Sequence, residues 1–436
     1  MSIIHTPPTD HDEHESWPDS PPRGRTLVRG TPGRKRKRPY HDDLEYQHGI
    51  DMSTAATSIE PEKRRCIEPT PPQSISSRVG DRPPHWDTAN AASRERTADL
   101  SPGRRSSPVR KQLNSLPTAV PSIIVKQGNI TNHECQEAQD LQRKLAYAAF
   151  GARVPQAFRE QLQQEDNIML DAFSQDMPPE LCTPELLCSV RYIYRTAAAC
   201  AGYNKDENSW VRVVESVLKT VIYGQCLDWI EDDTQETWQV HSIQSQNIHS
   251  RFMLKTNVMS LQKKSDVAIT YSPLSPAIRE LRAEMIKQDV GMSHFSDAFT
   301  EFVPVGFLVE VKSQSGSMDE AELQIAVCAA AAIAYLDLLR PAEQDTPQEK
   351  PPVTLGWTVC GHDWKLWIAW QGEEKAVHVR GINLGSALGS IGTSGLGNIF
   401  ALICVLRRAI QWLDEEYMPV YTRLARRSLG MEPQYE

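Results

Sequence analysis

Glu310 and Lys312, in the run Phe307-Leu308-Val309-Glu310-Val311-Lys312, are the residues whose type and spacing best suit chemistry. Side chains of a strand alternate faces, so a carboxylate and an ammonium two residues apart project from the same side. Leu308 shares that side, while Phe307, Val309 and Val311 take the other. A charged pair on one face of an otherwise apolar strand is costly to bury. It matches the needs of metal-assisted phosphodiester hydrolysis: an acid to hold a divalent cation and a cation beside the attacked phosphate. Glu-x-Lys alone recurs by chance in most proteins, so its meaning rests on the elements around it.

Those elements follow a readable order. Asn208–Tyr223 has the pattern of an amphipathic helix, with Trp210, Val213, Val214, Val217, Leu218 and Val221 on one stripe. Glu215 falls at the edge of that stripe, a place that suits either a solvated flank or a site residue. Trp238–His249 and Phe252–Met259 read as strands. Lys263-Lys264-Ser265-Asp266-Val267-Ala268-Ile269-Thr270-Tyr271 reads as a strand entered by an acid, with Val267 and Ile269 facing the core. Residues 272–303 form an insertion with a helical piece, Ser275–Lys287, and are expected to serve as a lid or a partner surface. Val305–Lys312 is the strand that carries Glu310 and Lys312.

Asp319–Leu339 then reads as a helix whose alanines, Ala329–Ala332, allow close approach to a sheet. Gln324 shares a stripe with Val327, Cys328, Ala331 and Tyr335, and a buried amide there needs partners. Either it caps a nearby backbone group or it points into a site. Val353–Val359 and Trp364–Gln371 are predicted strands joined by Cys360-Gly361-His362-Asp363, followed by Ala376–Gly381 and a long helix, Asn398–Tyr417.

An Asp at the start of one strand and a Glu on its neighbour can converge on one ion. Mg²⁺ favours such carboxylate oxygens and keeps several waters. A Lys on the same side stabilises a charged transition state, and an acid from the preceding helix can complete a second metal position or orient a water. Other motifs carry less. His362 and Asp363 are adjacent, so in a strand they would point apart, and we read them as a turn. The glycines between 381 and 397 lack the Gly-Lys-Ser/Thr of a nucleotide-phosphate loop. Trp357, Trp364, Trp367 and Trp370 suit core packing better than base stacking.

Composition divides the chain. Residues 1–121 hold 17 of the 30 prolines and a balance of +3, whereas 122–436 carry −12, which together make the −9 of the whole chain. We expect 1–121 to be a disordered Pro-rich arm, 122–200 a helical lead-in and 201–425 the catalytic body. Arg34-Lys35-Arg36-Lys37-Arg38 is a run of five cations in the arm. It suits recognition by a nuclear-import receptor, a nucleic-acid contact, or simply a solvated charge run. The expected location is nuclear, with the cytoplasm as the alternative. The N-terminus is too polar for a secretory signal. The apolar runs Ile325–Leu336 and Leu396–Leu406 fall short of the ~18 residues a membrane span needs, so no membrane partner is expected. The nine cysteines are dispersed without a Cys-x-x-Cys pair, which argues against a zinc finger and a disulfide framework.

With these elements in place, the chain resembles the PD-(D/E)xK nuclease superfamily, and more closely its fungal nuclease-like group. The resemblance rests on Trp210–Leu218, Lys264-Ser265-Asp266-Val267-Ala268-Ile269 and Val309-Glu310-Val311-Lys312. It extends to Glu320-Ala321-Glu322-Leu323-Gln324-Ile325, Gly361-His362-Asp363-Trp364 and Ile391-Gly392-Thr393-Ser394. It covers roughly residues 180–420 and excludes the arm. It implies an α/β restriction-endonuclease-like fold, a mixed sheet flanked by helices. It also implies Asp266 and Glu310 as ligands of Mg²⁺ or Mn²⁺, Lys312 as the catalytic cation, Glu215 as the helix acid and Gln324 as an accessory residue. DNA or RNA is the implied partner. Ser265 stands where the superfamily's namesake proline is expected. Two functional readings follow: a metal-dependent nuclease, or a catalytically silent nuclease-like fold used for nuclear binding or scaffolding.

Overall fold

The computed structural model describes residues 107–163, 172–224, 237–256, 260–261, 263–340 and 351–431. They belong to one compact unit, Arg96–Glu436. The expected arm up to residue 106, including Arg34–Arg38, lies outside the described residues.

A mixed seven-stranded sheet forms the centre. Its strands are β1 (Ile123–Gln127), β2 (Trp238–Ser242), β3 (Val267–Tyr271), β4 (Val305–Lys312), β5 (Thr354–Cys360), β6 (Asp363–Gln371) and β7 (Val377–Ile382), in spatial order β1-β7-β6-β5-β4-β3-β2. β4–β5 and β1–β7 are parallel, and the other pairs are antiparallel. β4 is central, and all eight of its residues are buried. A parallel pair cannot be joined by a tight turn. The β4–β5 crossover is therefore a helix, Met318–Leu338.

Among the described residues, eight α-helices of eight residues or more flank this sheet: α1 (Pro108–Ser115), α2 (Gln136–Gly151), α3 (Pro184–Gly202), α4 (Glu207–Tyr223), α5 (Pro276–Lys287), α6 (Met318–Leu338), α7 (Leu396–Trp412) and α8 (Met418–Ser428). α6 begins where Ser317 accepts a hydrogen bond from the Glu320 N–H, with Asp319 and Glu320 in the first turn to complement the helix dipole. It lies across β4, β5 and β6. The approach is so close that a Cβ on Gly356 would come 2.7 Å from Ile325. α4 starts at Asp206, whose carboxylate accepts from the Ser209 N–H at 3.1 Å, and stops at Gly224 with φ +75°. It packs on β2 and β4 and under α3 and α7. The apolar character of α6 and α7 is accounted for by this packing, since both bury most of their apolar side chains in the core.

The register between β3 and β4 shifts at Ile269/Thr270. Gly306 is the extra residue, and a Cβ there would lie 2.6 Å from Trp238 and 2.7 Å from Leu413. The bulge thus seats β2 and the segment after α7 against the sheet.

Several expected boundaries shift. The strand expected over Trp238–His249 ends at Ser242: Ile243 N–H adds one more bond in the same register, to the Asp266 carbonyl, and Gln246 N–H then closes a turn on the Ile243 carbonyl. Over the described part of the expected strand Phe252–Met259 there is a 3₁₀ turn, Ser250–Phe252, and a two-residue strand, Leu254–Lys255, and residues 257–259 lie outside the described residues. Among the described residues, regular structure starts inside the expected arm, at α1, which Ser107 caps and an Arg110–Asp319 ion pair at 3.2 Å ties to α6. The helical lead-in contributes β1 to the sheet edge, paired with β7. The helix expected to end at Tyr417 passes through a π turn, Leu413–Tyr417, into α8, where Pro419 has no N–H for the helical ladder.

The insertion 272–303 is part of the core rather than a lid. Met285, Met292 and Phe295 are buried in it, and the Tyr421 hydroxyl donates to the Met292 carbonyl at 2.8 Å. Tyr335 and Tyr421 hydroxyls meet at 3.2 Å beside it. His294 is 2 % exposed, and no group hydrogen-bonds its Nε2. Burial therefore pulls its pKa down from 6.5 to about 3.

Below about pH 6.5 the unfolded chain binds a proton at His294 that the folded chain excludes. Stability contributed by neutral His294 is complete above that pH and lost as pH falls toward 3. We expect unfolding free energy at pH 5 to lie about 2 kcal/mol below that at pH 7.5 from this group alone. Urea unfolding at the two pH values checks this, and His294→Leu should remove that part of the slope whatever its own stability.

Candidate active site

Asp266 stands one residue before β3, beside the end of β4. Its N–H donates to the Val309 carbonyl at 3.2 Å, and its Oδ2 accepts from the Val311 N–H at 2.8 Å. Gln244, carried there by the turn that ends β2, donates to Oδ1 at 3.2 Å. The carboxylate is thus aimed by two protein donors. Ser265 donates its hydroxyl to the Val309 carbonyl at 3.0 Å. A side-chain donor there ties the Asp-bearing segment to β4.

Glu310 is 1 % exposed, and among the described residues no group hydrogen-bonds its Oε2. The Lys312 ammonium lies 2.8 Å from Oε1 and forms an ion pair with it. Burial, and then the Asp266 charge, push the Glu310 pKa well above the usual carboxylate range. Burial also raises Asp266, against the pull of the Val311 N–H, Gln244 and Lys312.

Lys312 reaches Glu207 as well as Glu310. Its Nζ is 3.2 Å from the Glu207 carboxylate. Burial would lower its pKa, but Glu310, Glu207 and Asp266 together outweigh that and raise it. Lys312 is held as an ammonium. Three carboxylates therefore surround one buried cation; burial is the first cause of the raised Asp266 and Glu310, and the Asp266 charge adds to it at Glu310.

Gln324 projects from α6 and donates to the Lys264 carbonyl at 3.2 Å, which satisfies the capping role. Its Oε1 is buried without a partner. Cys328, one turn further along α6, feels the charges of both Glu310 and Asp266, so α6 faces the acids.

Asp266, Glu310 and Lys312 thus meet as the sequence predicts. The acid of α4 that meets them is Glu207, not Glu215. Glu215 lies eight residues further along α4, about 12 Å at 1.5 Å per residue, and is half-buried. Sequence reasoning missed Glu207 because it stands at the first residue of the helix, ahead of the apolar repeat. The signal was present: Glu207, Trp210, Val211 and Val214 follow i, i+3, i+4, i+7, which puts the acid on the buried stripe. Gln244 was missed because its segment was read as a strand.

The two carboxylates suit a divalent cation. A buried carboxylate with one oxygen free of hydrogen bonds among the described residues, next to a second carboxylate, favours added positive charge. Hard cations such as Mg²⁺ and Mn²⁺ take carboxylate oxygens, and Mg²⁺ is commonly held by one or two of them, with waters and substrate phosphate. The residues fit such an ion. Among the described residues no group of three or more His, Cys, Asp and Glu is arranged to hold a metal alone.

Compared with known protein families, the chain matches the PD-(D/E)XK nuclease superfamily over residues 155–418. The chain belongs to the PD-(D/E)XK nuclease superfamily. The matched stretch spans every residue of the site, from Glu207 on α4 to Gln324 on α6, and the sheet from β2 to β7. β1, α1 and α2 lie ahead of it. No curated protein matches the chain.

A carboxylate whose folded pKa is raised contributes stability below its unfolded value and loses it as pH rises through the folded value. Glu310→Gln, which cannot ionise, should therefore gain over the native protein as pH rises above the usual carboxylate range. Chemical unfolding of both proteins across that range tests the assignment; a constant difference would contradict it.

Proposed function

We propose that this superfamily member is a metal-dependent phosphodiesterase that cleaves nucleic acid through Asp266, Glu310 and Lys312. The observation that carries the reading is the buried Glu310 carboxylate, its Oε2 without a hydrogen bond among the described residues, beside a second carboxylate and an ammonium. Asp266 and Glu310 would hold Mg²⁺ or Mn²⁺. When bound, the ion would neutralise phosphate charge and ease deprotonation of a water.

The chain's own residues do the rest. Val311 N–H and Gln244 fix the direction of the Asp266 carboxylate. Lys312, kept protonated by its acidic neighbours, is a poor general base. Its role is to face the charge that grows on the phosphate, where a fixed ammonium in a water-poor site is most effective. Glu207 holds Lys312 from the solvent side and, at 43 % side-chain exposure, can share in orienting an attacking water.

A second reading, binding without turnover, draws on the absence of a three-ligand group among the described residues and on the negative charge of residues 122–436. A polyanion is bound largely through basic surface. We also infer that Arg34–Arg38 is an import address recognised by a nuclear-import receptor. Deleting it should shift a tagged protein from nuclei to cytoplasm, and an unchanged distribution would refute it.

Purified full-length protein should degrade DNA or RNA oligonucleotides in Mg²⁺ or Mn²⁺ and not in chelator. Asp266→Ala and Lys312→Ala should each lower the rate at least about 100-fold. Cleavage that persists in both variants would sink the site assignment, and no cleavage with retained nucleic-acid binding would favour the second reading. Glu207→Gln should slow cleavage about tenfold or more, with Glu215→Gln within about twofold of the native rate.

A further inference from the structure

His362 sits at the tip of the β5–β6 hairpin, between the two elements that supply Glu207 and Lys312. Gly361 N–H donates to the Lys312 carbonyl at 3.0 Å, which fixes the tip to the end of β4. On the other side the imidazole meets the Trp210 ring edge-on, with centroids 5.1 Å apart. Trp210 lies three residues after Glu207, so both project from neighbouring positions on one face of α4.

The ring is held more firmly than a turn requires. The His362 carbonyl accepts from the Thr393 N–H at 3.1 Å, and Nδ1 pairs with the Thr393 hydroxyl at 3.1 Å. Thr393 is fully buried, and Asp363 bridges Gly392. A Cβ on Gly392 would lie 2.1 Å from the His362 carbonyl oxygen, so only glycine permits this approach. The segment Ile391-Gly392-Thr393 is thus shaped around the tip. His362 stays half-exposed, and among the described residues no protein group bonds its Nε2.

We propose that His362 contacts the substrate strand: the Thr393 hydroxyl donates to Nδ1, and Nε2–H donates to a phosphate oxygen beside the scissile phosphodiester. This deepens the nuclease reading and rests on it. The neutral imidazole suffices, because the contact needs one directed donor at a fixed place on the rim of the site. Its ligand is the phosphate backbone of a nucleic acid, so the contact binds the strand without reading bases.

Two substitutions separate this role from packing. His362→Asn places an amide near Nδ1 and keeps the Thr393 bond. His362→Gln reaches toward Nε2 and keeps a donor for the strand. Anisotropy of labelled DNA and RNA oligonucleotides with the full chain at physiological salt gives Kd, and cleavage in Mg²⁺ gives KM and kcat. His362→Asn should keep the native Tm yet raise Kd and KM about tenfold with kcat little changed, and His362→Gln should recover most of that loss. Equal Kd in native protein and His362→Asn, or recovery by Asn and not by Gln, would overturn the contact and leave the nuclease reading standing. Native protein that neither binds nor cleaves any oligonucleotide would overturn both.

Discussion

The buried Glu310–Lys312 pair on the central strand is the constraint around which the structure is arranged. Taking two charges out of water costs several kcal/mol per ion, and their attraction repays this only with good geometry and further hydrogen bonds. Here Oε1 of Glu310 has the Lys312 ammonium at 2.8 Å, while Oε2 has no hydrogen bond among the described residues. Lys312 is better served, because Glu207 adds a second carboxylate. Asp266 then adds a third negative charge. A strand chosen for stability alone would place apolar residues at 310 and 312, as it does at 307, 309 and 311.

The rest of the fold holds that pair rigid and dry. β4 is flanked by β3 and β5, and α6 crosses it closely because Gly356 offers no side chain to Ile325. The Gly306 bulge seats Trp238 and Leu413 at the other end of the strand. The insertion between β3 and β4 is fastened by Tyr421 and by the buried His294, so it braces the sheet from within the core. Trp357, Trp364, Trp367 and Trp370 are all buried, as core packing predicts. None of them is free to stack on a base.

Much of this was legible because it depends on local chain chemistry. Period-two alternation marked β4 at its observed ends, and period-3.6 stripes marked α4 and α6. Legibility failed where tertiary hydrogen bonds override local pattern. Gln244 looked like a strand residue, but the turn that Gln246 N–H closes on the Ile243 carbonyl carries Gln244 to the acid. Glu215 stood near the visible stripe and Glu207 at its unmarked start, yet the axial rise of the helix carries only Glu207 to Lys312. β1 read as part of a helical lead-in, since five residues of edge strand carry too little pattern to announce a partner as distant as β7.

The amino-acid sequence by itself determined which residue types were available: an acid entering one strand, an acid and an ammonium two residues apart on the next, and an amide on the following helix. Alternation and helical pitch are local properties of the chain, so they assign a face without knowing what lies opposite. Only the tertiary structure decided what lies opposite. It chose Glu207 over Glu215, aimed Asp266 with Val311 and Gln244, and buried Glu310 beside Lys312. Those outcomes depend on distances between segments up to about a hundred residues apart, and burial multiplies the electrostatic consequence of each ångström.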